Sequence, residues 1–72
     1  MSPEDRLIEL WQQHEAELPR PAKRLLERAA VEPESAVIAA GLFALHAGEY
    51  PVLLEFSPVL REVGRGASHD AA

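Results

Sequence analysis

The chain has no cysteine. That removes disulfides, thiolate zinc sites and cysteine nucleophiles together. It has no excess of positive charge either: the formal net charge is −5. Nucleic acids and anionic membrane surfaces are therefore disfavoured partners, because phosphate binding draws on a basic surface that releases counterions. No apolar run reaches the roughly 20 residues that a membrane-spanning helix takes. The N-terminus carries acids where a secretory signal would carry lysines, so a cytoplasmic setting is expected. β-branched residues are sparse and nowhere alternate over five positions, which excludes a strand signal. There is no glycine-rich phosphate loop and no cluster at metal-ligand spacing, so neither a cofactor nor enzymatic activity is expected.

What the chain does have is apolar content: 47% hydrophobic against 26% charged residues over 72 positions. This is the balance of a folded domain, close to the lower size limit for a self-sufficient core. Without disulfides, such a chain relies on good helix packing or on association. The charges are unevenly spread. Residues 1–18 hold five acids and Arg6, and residues 32–63 hold five acids and Arg61. Between them, Arg20, Lys23, Arg24 and Arg28 face only Glu27.

Helix signals follow one another with short gaps. Ser2 can cap a first helix with Pro3 at its first position and Glu4 and Asp5 near the positive end of the dipole. Leu7, Leu10, Trp11, His14 and Leu18 keep helical spacing until Pro19 and Pro21 end it. Pro21 opens a second helix to Ala30 or Val31, with Arg20, Arg24 and Arg28 at i, i+4 and i+8 on one side. Glu32-Pro33 interrupts, and a third helix runs over 35–48, ending on Gly48 as a left-handed C-terminal residue. A fourth segment begins at Tyr50-Pro51, with Leu53, Phe56, Leu60 and Val63 in step. Pro58 either kinks it or splits it. A restart with Ser57 as cap is preferred, since Pro58 would clash with the Leu54 carbonyl. The expectation is an all-α bundle of four short helices, or five if Pro58 splits the last. It forms a single domain over 1–64 with a flexible tail over 65–72, and consecutive helices are neighbours.

The third helix is apolar all round, and a helix of that kind must be covered on most sides. On a wheel, Ile38, Leu42 and Leu45 form one stripe of large residues, read as the core contact. Ala36, Ala40, Ala44 and Ala47 form a smooth stripe opposite, with Phe43 at its edge. These five are the candidate interface, since small residues let a second helix approach closely and a two-fold axis makes one patch serve both copies.

Candidate chemical groups each have a plainer reading. His14 and Glu17, like His46 and Glu49, stand at His-x-x-Glu spacing, which two helices can bring together at a metal. The plainer reading makes His14 a half-buried residue at the edge of the core. Ser68-His69-Asp70 has the residue types of a hydrolase triad, but three neighbours in a tail cannot converge as triad members do. The basic row Arg20, Lys23, Arg24, Arg28 suits a solvated face that partly complements the acidic first helix, or one that orients an acidic partner. As part of a helix-turn-helix it fails, because the third helix has no side chain to read base edges. The sequence thus points to a small, acidic, non-catalytic interaction module, an adaptor, accessory subunit or inhibitor. It is expected to self-associate through helix 35–48 or to bind a larger protein, with Trp11 or Tyr50 and Phe56 adding apolar contact. Nucleic-acid association through the basic face of helix 21–31 is the alternative.

Overall fold

The structure, a computed structural model, describes residues 2–71, and side chains over residues 2–66. It contains four α-helices: α1 Pro3–His14, α2 Arg20–Val31, α3 Ala36–His46 and α4 Leu53–Ala71. Single 3₁₀ turns at Glu15–Glu17 and Pro33–Ser35 lead out of α1 and into α3. No strand occurs among the described residues, so the all-α expectation holds.

Helix α1 starts as its sequence dictates: the Asp5 N–H donates to Ser2 Oγ at 3.2 Å, with Pro3 at the first position. Helix α2 matches its expected span. The turn after α3 differs. Gly48 does not take a left-handed conformation, and no described glycine has positive φ. The N–H groups of Glu49 and Tyr50 instead both donate to the His46 carbonyl at 3.1 Å, which closes the helix without it.

Helix α4 is continuous through Pro58 rather than restarting there. Two observations explain why. Ser57, the expected cap, is buried, and its hydroxyl donates to the Ala40 carbonyl of α3 at 3.2 Å. Pro58 and Leu54 both lie on the exposed side of α4, the side on which a carbonyl left without its donor can be met by water. The flexible tail expected over 65–72 falls, from residue 67 on, outside the residues whose side chains are described; Arg65 and Gly66 are exposed positions of α4. Ser68, His69 and Asp70 also lie outside them.

Packing departs from simple sequence order. Helix α3 lies along α4, and α1 packs on α4 rather than chiefly on α2. The core gathers Leu7 and Leu18 from the first helical unit, Ala22, Leu26 and Ala29 from α2, and Leu53, Phe56, Val59, Leu60 and Val63 from α4. Phe43 and Phe56 meet edge to face at its centre, with ring centroids 5.9 Å apart. Phe56, expected to help form a surface contact, is thus wholly internal.

Helix α3 is turned the other way round from the sequence expectation. Ala36, Ala39, Ala40, Phe43 and Ala47 are the buried side, while Ile38, Leu42 and Leu45 face outward. The physical reason is reciprocal size. The α4 face that meets α3 brings Leu53, Phe56 and Leu60, and its near edge brings the small residues Ser57 and Gly64. Alanines on α3 let the two axes approach closely enough for those large residues to fill the seam. Gly64 lies so near Val37 that an added Cβ would stand 3.1 Å from the Val37 backbone nitrogen.

Candidate protein-docking surface

The turned helix decides which residues are available to a partner. Of the candidate interface, Ala36, Ala40, Phe43 and Ala47 are spent within the chain's own core, and only Ala44 is exposed. The seam they were expected to offer a second copy is occupied by α4. In their place stand Val37 at 53%, Ile38 at 67%, Leu42 at 37% and Leu45 at 74% of full exposure. Gly41 sits among them with open space above it. Apart from His46, α3 carries no ionisable side chain, so this outward face is apolar from end to end.

Between α2 and α3 the outward face falls into a groove with two hollows. One, of about 240 Å³, is lined by Ala22, Leu25, Leu42, Phe43, Tyr50 and Leu53, with Pro19, Pro21 and His46 at its edge. The other, of about 190 Å³, is lined by Leu25, Arg28, Ser35, Ile38 and Ala39. Leu25 separates them, and on α3 they lie one turn apart.

The basic row touches this groove at one end, Arg28. Arg20, Arg24 and Arg28 are all exposed, and Arg28 reaches the second hollow. Arg28 Nε meets Glu32 at 3.2 Å, while Arg20, Lys23 and Arg24 form no ion pair among the described residues. The expected complement with α1 is absent among the described residues: Arg6 of α1 pairs instead with Glu62 of α4, at 3.4 Å. Lys23, half-buried, stands one turn from Arg20 on the side of α2 away from Leu25.

His14 is held at the edge of the core. Its Nδ1 lies 2.7 Å from Glu17 and its Nε2 3.0 Å from Glu55 of α4, and its ring meets Phe56 edge-on with centroids 6.3 Å apart. With both nitrogens engaged internally, His14 acts as a tie between α1, the turn after it and α4. His46 is exposed and is not brought to His14; no group of three or more His, Cys, Asp or Glu among the described residues is placed to hold a metal. Glu17 was legible from spacing, whereas Glu55 was not, since nothing in sequence set α4 beside α1.

A wider cleft between α1 and α4, about 440 Å³, is lined by Arg6, Glu9, Leu10, Gln13, Glu55 and Val59. Its charges come in opposite signs and it has no apolar floor of any extent. Among the described residues no helix is long and apolar enough to cross a membrane. Compared with protein-family models, with curated proteins and with solved structures, the chain matches none.

Proposed function

We propose that the protein is a non-catalytic interaction module of the cytoplasm that docks on another protein through the outward face of α3. The observation that carries this reading is the exposure of Val37, Ile38, Leu42 and Leu45 on one charge-free face. Single exposed apolar residues are ordinary, but a contiguous patch of large ones marks an interaction site. Burying it against a partner would also relieve a small domain that already uses every apolar residue of α4's inner face for its own core. The apolar face supplies contact area, and the flanking charges set orientation and choice of partner.

Site-directed photo-crosslinking in cells tests the reading. A photoreactive residue at Leu45 should give discrete adducts, whereas one at Gln12, exposed on α1, should give none above background. Equal labelling from both positions overturns the docking role of α3. Retention of the purified protein on heparin at moderate salt, lost when Arg20, Arg24 and Arg28 are changed to Gln, would instead favour the nucleic-acid alternative.

A further inference from the structure

The docking reading leaves the partner's chemistry open, and the α2–α3 groove narrows it. We propose, resting on that reading, that this groove takes an acidic amphipathic helix, with its apolar face seated in the two hollows and its carboxylates turned toward Arg20, Arg24 and Arg28.

Three features of the groove select that occupant. First, each hollow is smaller than the roughly 300–1,000 Å³ of a small-molecule site, and suits one large apolar side chain. Second, the hollows lie one turn of α3 apart, at Ile38–Ala39 and at Leu42–Phe43, which matches residues i and i+3 or i+4 of a helix laid along the groove. Third, Arg28 lines the second hollow and continues a row of exposed arginines on α2, in a chain of net charge −5. Glu32 engages Arg28, but Arg20 and Arg24 have no carboxylate among the described residues. Glu27, two turns from Arg20, is exposed and forms no ion pair with the row among the described residues.

A second copy of the chain is a poor occupant. Its own acid-rich helix, α1, has Leu7 committed to the core and Leu10 and Trp11 packed against it. Two-fold packing of α3 on α3 also opposes like charges. In the antiparallel sense, α2 lies over its mate and sets one arginine row on the other, and Glu34 of one copy falls beside Glu49 of the second. In the parallel sense, the arginine row faces Arg61 and Arg65, exposed on α4 beside Gly64. An acidic helix meets none of these penalties and removes the positive potential at the rim.

The test uses two synthetic helix-favouring peptides with the same leucines at i, i+3, i+4 and i+7. One has Glu and the other Lys at the flanking positions. Titrated into the isotopically labelled protein, the Glu peptide should shift the amide signals of Leu25, Ile38, Leu42 and Tyr50 saturably and bind about tenfold more tightly than the Lys peptide, the gap narrowing as salt rises. Arg20→Glu with Arg24→Glu should reverse the preference without changing helicity. Equal affinities, a preference for the Lys peptide, shifts mapping away from the groove, or no saturable shift with either peptide would overturn the proposal. So would concentration-dependent shifts of α3 in the peptide-free protein, which would make a second copy the occupant. Crosslinks from Leu45 together with failure of both peptides would sink the acidic-helix assignment alone; absence of those crosslinks would sink the docking reading beneath it.

Discussion

One substitution made at two glycines should move stability in opposite directions. Gly41 and Gly64 both lie inside helices, where Ala is favoured over Gly by roughly 0.8–1 kcal/mol. Above Gly41 nothing lies within 4 Å, so Gly41→Ala should gain most of that amount. At Gly64 the new methyl would overlap a methyl of Val37 and stand 3.1 Å from its backbone nitrogen and 3.4 Å from its Cβ. Val37 is β-branched and holds one strongly preferred rotamer in a helix, so its side chain cannot swing clear without about 0.5–1.5 kcal/mol of strain. The backbone nitrogen cannot move unless α3 and α4 part. Overpacking of this kind costs about 1–3 kcal/mol, which, less the propensity gain, leaves Gly64→Ala destabilised by up to about 2 kcal/mol.

Thermal unfolding followed by circular dichroism resolves the difference, because 1 kcal/mol moves the midpoint of a domain this size by about 4–8 °C. Gly41→Ala should melt several degrees above the parent and Gly64→Ala several degrees below. Adding Val37→Ala should recover much of the Gly64→Ala loss, a coupling of about 1 kcal/mol in a double-mutant cycle. Stabilisation by Gly64→Ala equal to that of Gly41→Ala, with no coupling to Val37, would refute the close approach of α3 and α4 on which the orientation of α3 depends.

Ala40→Glu should unfold the protein rather than dissociate it, since Ala40 is buried against α4 and a lone internal carboxylate costs several kcal/mol; Leu45→Glu should keep full helicity, and circular dichroism separates the two. His14→Ala should lower stability by about 1–2 kcal/mol in urea unfolding, through lost contact with Phe56 and the two carboxylates; an unchanged midpoint would show that His14 is not a tie. Changing Arg20, Arg24 and Arg28 together to Gln should alter stability by no more than about 1 kcal/mol, because the ion pair of Arg28 with Glu32 is solvent-exposed; a larger loss would place the row in an internal contact.

Most of the architecture was legible because its signals are local. Ser2-Pro3 starts α1 and Pro33 separates α2 from α3, each by fixing φ or supplying a cap, whereas α1 ends at His14, before the expected stop at Pro19, and gives way to the 3₁₀ turn Glu15–Glu17. Pro58 misled because the same local rule has a tertiary exception. A proline on the solvent side leaves its orphan carbonyl to water, and which side it occupies depends on what α4 packs against. The partnership of His14 with Glu55 was hidden for the same reason, residing in the α1–α4 pairing and not in either helix.

The orientation of α3 was the consequential ambiguity, and its resolution gives a usable rule. A helix apolar on every side has no hydrophobic direction, so hydropathy cannot say which face is inside. Reading size as depth, large inward and small outward, treats the helix as though its neighbour were smooth. The neighbour here is not smooth: Ser57 and Gly64 stand seven residues apart on α4, Ser57 against Ala40 and Gly64 against Val37, and together they admit the α3 backbone. Phe43, larger than any residue of the opposite stripe, also lies on the alanine side and closes the core against Phe56. Small matched to small sets the helix separation, and the aromatic pair fills the volume that remains. The large aliphatic residues are then left over, and leaving Ile38 and Leu45 mostly in water forgoes the larger part of the roughly 1.5–3 kcal/mol that full burial of each would contribute. A fold that accepts that loss on one face, when Ala or Lys there would serve solubility, has that face available for a partner. Replacing Ile38 and Leu45 with Lys should therefore leave the unfolding midpoint within a few degrees of the parent while abolishing crosslinks from position 42. Loss of the fold instead would show that these residues serve the chain's own core after all.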